Sequence, residues 1–345
     1  MNIINLSLKK VIWLSIVLLI LEAIFFVIFG SKVMKVVNYC KEQIITNRNY
    51  SMMHDEKVDV SSLPILQDDT TAWYSKYTLI SHGGGGINGR TYTNSLEAWE
   101  LSYNHGNRVI DADLRFTSDG VLVLRHSWGD NIEQHENMPM LKSHCVMDKN
   151  GHTQYTIQSQ SMNYRTFKKT KVYKQYTAMS YDDMLDFMMS HKDLYVAADI
   201  KGENSVKGDV ARTYTYMVKR ARAKGVEDVL NRIIISCYDY ADYEKIVSIY
   251  PFKNTTMRQH FVSPNNYYEL CEFCVKHDIH TVNISQCFIN DPGVKILKDH
   301  GIKIYLAVVD YMSDAEYYKS KGVDGFITNY LNEDMLIENG YGKRK

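Results

Sequence analysis

Between residues 77 and 329 short apolar, β-branched runs alternate with stretches of helical periodicity. Few folds accept that alternation. The strand candidates are 77–81 (YTLIS), 109–116 (VIDADLRF), 121–127 (VLVLRHS), 194–201 (LYVAADIK), 232–238 (RIIISCY), 255–261 (TTMRQHF), 280–285 (HTVNIS), 302–309 (IKIYLAVV) and 325–329 (GFITN). Helical patterns such as NSLEAWELSYNHG, SYDDMLDFMMSH and VARTYTYMVKRARAKG lie between most of them. Several open on a Ser, Asp or Asn cap and several stop at Gly. Strand and helix in alternation imply a parallel sheet with helical crossovers.

Nine strands are one more than a closed parallel barrel needs. The second and third are joined only by Thr117-Ser118-Asp119-Gly120. Four residues cannot build a parallel crossover, and Asp-Gly is a hairpin signal. The third strand therefore folds back antiparallel on the second. A turn centred on Ser118 and Asp119 sets Asp113 opposite Leu124 and Asp111 opposite His126. The expected fold is an α/β, TIM-type (β/α)8 barrel with a β-hairpin after strand 2, preceded by one N-terminal transmembrane helix.

That helix is read from residues 11–30, VIWLSIVLLILEAIFFVIFG, where Glu22 is the one charge. The run is long enough to cross a hydrocarbon core of roughly 30 Å, and no A-x-A-like cleavage site follows it. Lys9 and Lys10 precede it, while Lys32, Lys35 and Lys41 follow. The charge bias is thus nearly balanced. The expected layout is a short tail (1–10), an anchor (11–30), a stalk (31–72) and a barrel domain (73–341) carrying an insertion (129–179). A single-pass cell-membrane protein with its large domain extracytoplasmic follows from an N-terminal anchor. Lys+Arg and Asp+Glu are both 40, giving zero net charge, which argues against a nucleic-acid partner. Six cysteines include one C-x-x-C, Cys271 and Cys274, inside a helical pattern. No second pair completes a zinc site; disulfides outside the cell are open, their pairing not fixed by the spacing, and buried free thiols are expected for most of the six.

Ionisable groups interrupt the apolar strands. The first strand ends in Ser81-His82 and runs into Gly83–Gly86; the second carries Asp111 and Asp113; the hairpin return carries His126; the next carries Asp199 and Lys201. Strand C-termini of a barrel converge on one face, where active sites sit. Asp111, Asp113 and Asp199 suit one hard divalent cation, Ca2+ or Mg2+. A buried salt-bridge network with Lys201 pairing an Asp is the other reading. The glycine run is either an anion-binding nest or a turn.

In order along the chain, these motifs resemble the glycerophosphodiester phosphodiesterase family, within the barrel superfamily that includes phosphatidylinositol-specific phospholipases C. The resemblance covers about 77–330. The family's His-Arg-Gly reads His82-Gly83-Gly84, and its Pro-Glu-Asn-Thr segment is loosely matched by Tyr92-Thr93-Asn94-Ser95. Its Glu-x-Asp, T-x-D-G…H and Glu-x-Lys motifs match Asp111-Ala112-Asp113, TSDGVLVLRHS with His126, and Asp199-Ile200-Lys201. Gly322-Val323-Asp324-Gly325-Phe326-Ile327-Thr328-Asn329 matches the closing G-x-D-G-x-x-T-N.

The resemblance implies that Asp111, Asp113 and Asp199 hold the cation, that His82 and His126 are general acid and base, and that Lys201 binds phosphate. Gly83 replaces the family's Arg, so a phosphate contact is lost unless Arg90 or Arg115 supplies it. Thr93 stands where the family has Glu, and Ser127 where it has Asp. The implied activity is metal-dependent hydrolysis of glycerophosphodiesters, phospholipid headgroups or glycerol-phosphate polymers at a membrane. Cleavage through a cyclic phosphate and an inactive barrel used for binding are the alternatives. In the insertion, Lys168, Lys169, Lys171 and Lys174 form either a headgroup-binding face or a solvated one.

Overall fold

The segment 109–116 becomes a strand, Val109–Phe116, with the limits its sequence pattern gives, and the other strands follow from it. A computed structural model describes residues 58–126, 128, 144–147, 153–156, 161–201, 209–259, 266–286 and 288–341. The main sheet comprises β1 (Leu79–Ser81), β2 (Val109–Phe116), β3 (Leu122–Leu124), β4 (Tyr195–Ile200), β5 (Ile233–Cys237), β6 (Asn254–Gln259), β7 (Thr281–Ser285), β8 (Lys303–Ala307) and β9 (Gly325–Thr328). Eight of these are parallel and close on themselves, β9 returning to β1 and β1 meeting β2. Only β3 runs antiparallel, against β2. The barrel and its hairpin are as expected from the sequence.

The hairpin register is not. Leu114, rather than Asp113, faces Leu124, and Arg115 faces Val123. The turn takes three residues: Thr117 N–H bonds to the Val121 carbonyl at 2.9 Å, and Gly120 adopts φ +80°. An Asp-Gly loop with Gly in the left-handed position closes that way as readily as a two-residue one. The slip puts Arg125 beside Asp113, whose carbonyl accepts the Arg125 N–H at 2.7 Å. Ladder pairing ends at Leu124, so it does not dictate where His126 points.

Residues alternate between two environments along each strand. Ile80, Val109, Ala197, Ile234, Tyr305 and Ile327 point inward and form an apolar plug with Trp73 and Tyr77. The alternate residues, among them Ile110, Ala112, Val196, Ala198 and Ile235, pack outward in a separate, larger core with Tyr181, Met184 and Tyr214. Asp111, Asp113 and Asp199 share the inward parity of Val109 and Ala197. They are at most 1% exposed.

The crossover helices begin as their caps require. Ser95 and Asp209 accept from backbone N–H groups of the first turn, and Ser180 with Asp183 forms a capping box before Tyr181–Ser190. Residues 58–72, read from the sequence as stalk, lie against the barrel. Val60 is buried, its carbonyl meets His300 Nε2 at 3.0 Å, and Leu66 N–H bonds to the His300 carbonyl. Cys271 and Cys274 lie in the helix Asn266–Lys276 as buried free thiols, as does Cys237 in β5. Among the described residues no helix is long and apolar enough to cross a membrane. The apolar run 11–30, Cys40, Ser127 and Cys287 lie outside them.

Candidate active site

Parallel register builds the acidic cluster. Asp113 pairs directly with Asp199 across β2 and β4, and Asp111 pairs with Ala197 one inward step below. One oxygen from each of the three carboxylates lies within 4.8 Å of the others, a spacing that could hold a metal ion. The residues gathered from positions 111, 113 and 199 thus meet at one end of the barrel.

Two cations share this cluster. Lys201 Nζ sits 2.7 Å from Asp199 Oδ2 and 3.1 Å from Asp113 Oδ1. Arg258, from β6, donates from Nη1 to Asp199 Oδ2 and from Nη2 to Asp111 Oδ1, both at 2.5 Å. The Tyr238 hydroxyl donates to Asp199 Oδ1 at 2.7 Å. Three carboxylates therefore face two cations, leaving one negative charge. Asp111 Oδ2 is buried with no hydrogen-bond partner. Burial pushes the Asp111 carboxyl up to about 7, despite Arg258 beside it. Burial also opposes ionisation of Asp199, but Arg258 and Lys201 outweigh it and hold that carboxyl well below the usual range. Lys201 and His126 do the same for Asp113. An orphaned carboxylate oxygen within a set of hard oxygen donors fits a Ca2+ or Mg2+ ion.

The two histidines flank one aromatic ring. Tyr92 lies 4.4 Å from the His82 ring and 5.0 Å from the His126 ring, edge-on to both. β1 ends at Ser81 while β3 takes over the edge of β2, so His82 and His126 emerge side by side from adjacent strand ends. His82 Nδ1 lies 3.2 Å from Asn329 Oδ1. Asn329 is held by Asp310, which accepts its side-chain N–H at 2.8 Å and its backbone N–H at 2.7 Å. A carboxylate only accepts, so the Asn329 amide must turn its oxygen to His82. His82 then carries its proton on Nδ1 and leaves Nε2 free. Burial holds both imidazoles below their ordinary value. Asp310→Ala, which frees the Asn329 amide to rotate, is expected to lower kcat by about 10- to 100-fold with KM little changed; steady-state kinetics checks this.

Asn94 clamps Asp113 twice, donating from Nδ2 to Oδ2 at 2.8 Å and accepting the Asp113 N–H at 3.1 Å. Both Asn94 and Tyr92 have left-handed backbones, φ +47° and +56°. Gly83 is the counterpart of that fold. Its φ is +52°, and a Cβ there would lie 3.0 Å from Tyr92 Cα and 3.3 Å from Asp113 Oδ2. A Cβ at this position would crowd Tyr92, whose backbone would have to give by a few tenths of an ångström. Gly83→Ala is expected to cost about 1–2 kcal/mol from the left-handed backbone alone, read by thermal denaturation.

Of the expected phosphate ligands, Lys201 meets the carboxylates. Arg90 is stacked over the Tyr173 ring at 4.4 Å, and Arg115 lies over the Trp128 ring at 6.0 Å. The glycine run works as a turn: Gly85 and Gly86 N–H groups bond to the His82 and Asn329 carbonyls. Lys168 pairs with Asp183 at 2.7 Å, and Lys169, Lys171 and Lys174 are exposed, as on a solvated face. Sequence reasoning does not reach Arg258, Tyr238 or Asp310, and it assigns no role to Tyr92, Asn94 and Asn329 within the motifs it matches. Arg258 had a signal, a lone cation in the middle of the strand pattern TTMRQHF.

The sequence profile of the Glycerophosphoryl diester phosphodiesterase family matches residues 83–333. Comparison with curated proteins gives no match. Among solved structures, an Oleispira antarctica phosphodiesterase in complex with the product sn-glycerol-3-phosphate superposes with a TM-score of 0.58 at 14% identity, covering 78% of this chain and 99% of that one. A glycerophosphodiester phosphodiesterase from Parabacteroides distasonis gives 0.54 at 16%, covering 76% and 97%. At these identities the likeness establishes the fold.

Proposed function

The chain belongs to the glycerophosphoryl diester phosphodiesterase family, a family of phosphoric diester hydrolases, and on that basis we propose that it hydrolyses glycerophosphodiesters by acid–base catalysis between His82 and His126 over a divalent cation. The observation that carries this reading is the meeting of Asp111, Asp113 and Asp199 within 4.8 Å, beside two imidazoles that flank one ring.

Asp111, Asp113 and Asp199 would hold the cation, which when bound supplies charge neutralisation for the non-bridging phosphate oxygens. Asn94 and Tyr238 keep two of those carboxylates in place. His82, donating Nδ1–H to Asn329, offers Nε2 as the base that takes a proton from the attacking water. His126, across Tyr92, would be the acid that protonates the departing alcohol. Lys201 donates to Asp199 and lies 3.1 Å from Asp113 Oδ1 as an ion pair, and a remaining N–H would meet a phosphate oxygen. The apolar run 11–30 supports a single-pass anchor, with the barrel on the extracytoplasmic side and substrates drawn from the membrane or its glycerol-phosphate polymers.

A substrate panel tests the reading. Purified full-length protein is incubated with glycerophosphocholine, glycerophosphoinositol and phosphatidylinositol vesicles, each with Ca2+, Mg2+ or chelator. Metal-dependent turnover of at least one glycerophosphodiester is expected. No turnover of any would leave an inactive barrel. Release of a cyclic phosphate would replace water by an internal hydroxyl as nucleophile.

A further inference from the structure

Arg258 is the feature of this site that the proposed reaction does not use. Its guanidinium is contributed by β6 and crosses the barrel interior to carboxylates on β2 and β4. It is 8% exposed. Its two terminal nitrogens bind two different carboxylates, and one also lies 3.3 Å from the Tyr238 hydroxyl. A planar fork spans two carboxylates in a way that a single ammonium cannot. Both carboxylates, Asp111 and Asp199, belong to the set spaced to hold a metal ion.

We propose that Arg258 is a built-in counter-cation that competes with the divalent ion for Asp111 and Asp199, keeping the carboxylate cluster assembled without metal and setting a low metal affinity. The inference rests on the functional reading above, since it assumes that these three carboxylates are the metal ligands. With all three carboxylates ionised, as a bound divalent ion requires, Lys201 alone leaves two net negative charges and Arg258 cuts them to one. The ion would have to share the carboxylates of Asp111 and Asp199 with the guanidinium, which leaves it Asp111 Oδ2, an oxygen buried without a hydrogen-bond partner. Like charge at contact distance in a buried site weakens binding steeply. The same guanidinium relieves repulsion among the carboxylates when no ion is bound, so the site needs no metal to stay folded.

The test is calorimetric titration of Ca2+ and Mg2+ into chelator-stripped full-length protein, with thermal denaturation in chelator and in excess Ca2+. Arg258→Met is expected to bind Ca2+ on the order of tenfold or more tightly than wild type. Its melting temperature should fall below wild type in chelator and recover with Ca2+, whereas wild type melts at nearly the same temperature in both. A folded Arg258→Met protein with equal or weaker Ca2+ affinity overturns the inference. If Arg258→Met does not fold even with Ca2+, Arg258→Lys decides. Lysine can hold only one of the two carboxylates, so affinity must rise several-fold, and unchanged or weaker affinity overturns the proposal. Titration reads metal without reference to turnover. A reversed affinity order in an active hydrolase therefore defeats only this inference. The expected order in a protein that cleaves no glycerophosphodiester defeats only the functional reading.

Discussion

His82→Ala and His126→Ala are each expected to reduce kcat by about 100- to 10,000-fold, the range for loss of a positioned acid or base. Neither histidine lies in the barrel ladder: His82 opens the turn after β1, and His126 follows the end of β3. Both are half-buried, so their removal should leave the melting temperature close to wild type. The double variant should be little worse than either single one, because residues acting as a unit are not additive. The pH profile adds a second check. Burial lowers the His82 value from 6.5, so the rate should fall on the acid side below that ordinary value, where Nε2 takes up a proton. A fully active single variant would remove the acid–base pair from the account.

Asp199→Ala is expected to give the largest loss of stability, about 3–5 kcal/mol, together with loss of activity. Asp199 accepts from Lys201, Arg258 and Tyr238 at once. Without it, two buried cations face only Asp111 and Asp113, and the Tyr238 hydroxyl loses its acceptor. Asp199→Asn, which keeps an oxygen for Tyr238, should lose activity as fully but less stability. Urea denaturation of the two variants measures the difference. The dependence on pH follows from the directions of shift. Asp199 and Asp113 titrate below their unfolded value in the folded protein. Their contribution is therefore complete above that value and fades as pH falls through the folded one. Asp111, raised to about 7, runs the other way, and its contribution fades as pH rises toward neutrality. Equal stability of Asp199→Ala and wild type would show that the cluster is not the buried network described.

Much of this was legible in the sequence because the barrel's logic is periodic. Parallel strands buried on both faces read as apolar runs, so a charge inside one stands out. Asp111, Asp113 and Asp199 were found that way, and their convergence follows from strand ends sharing one face. The hairpin was legible from a linker too short for a crossover. Its register was not, since Asp-Gly admits both two- and three-residue loops and one residue of slip exchanges the faces. Arg258 fits the same rule that exposed the aspartates, yet its partners lie 147 and 59 positions away, and nothing local announces them. Tyr92 and Asn94 depend on left-handed backbone in a loop, which no periodicity encodes. Gly83 looked like a lost phosphate ligand in sequence. In the structure it is a left-handed residue packed closely against Tyr92.

The most direct measurement is phosphorus NMR of the full-length protein acting on glycerophosphocholine with Ca2+ or Mg2+ present. The account predicts that the phosphodiester resonance is replaced by that of a phosphomonoester, glycerol phosphate, and that exhaustive chelation stops the conversion. Conversion that continues at full rate after chelation, or an unchanged diester with every divalent ion supplied, would contradict it.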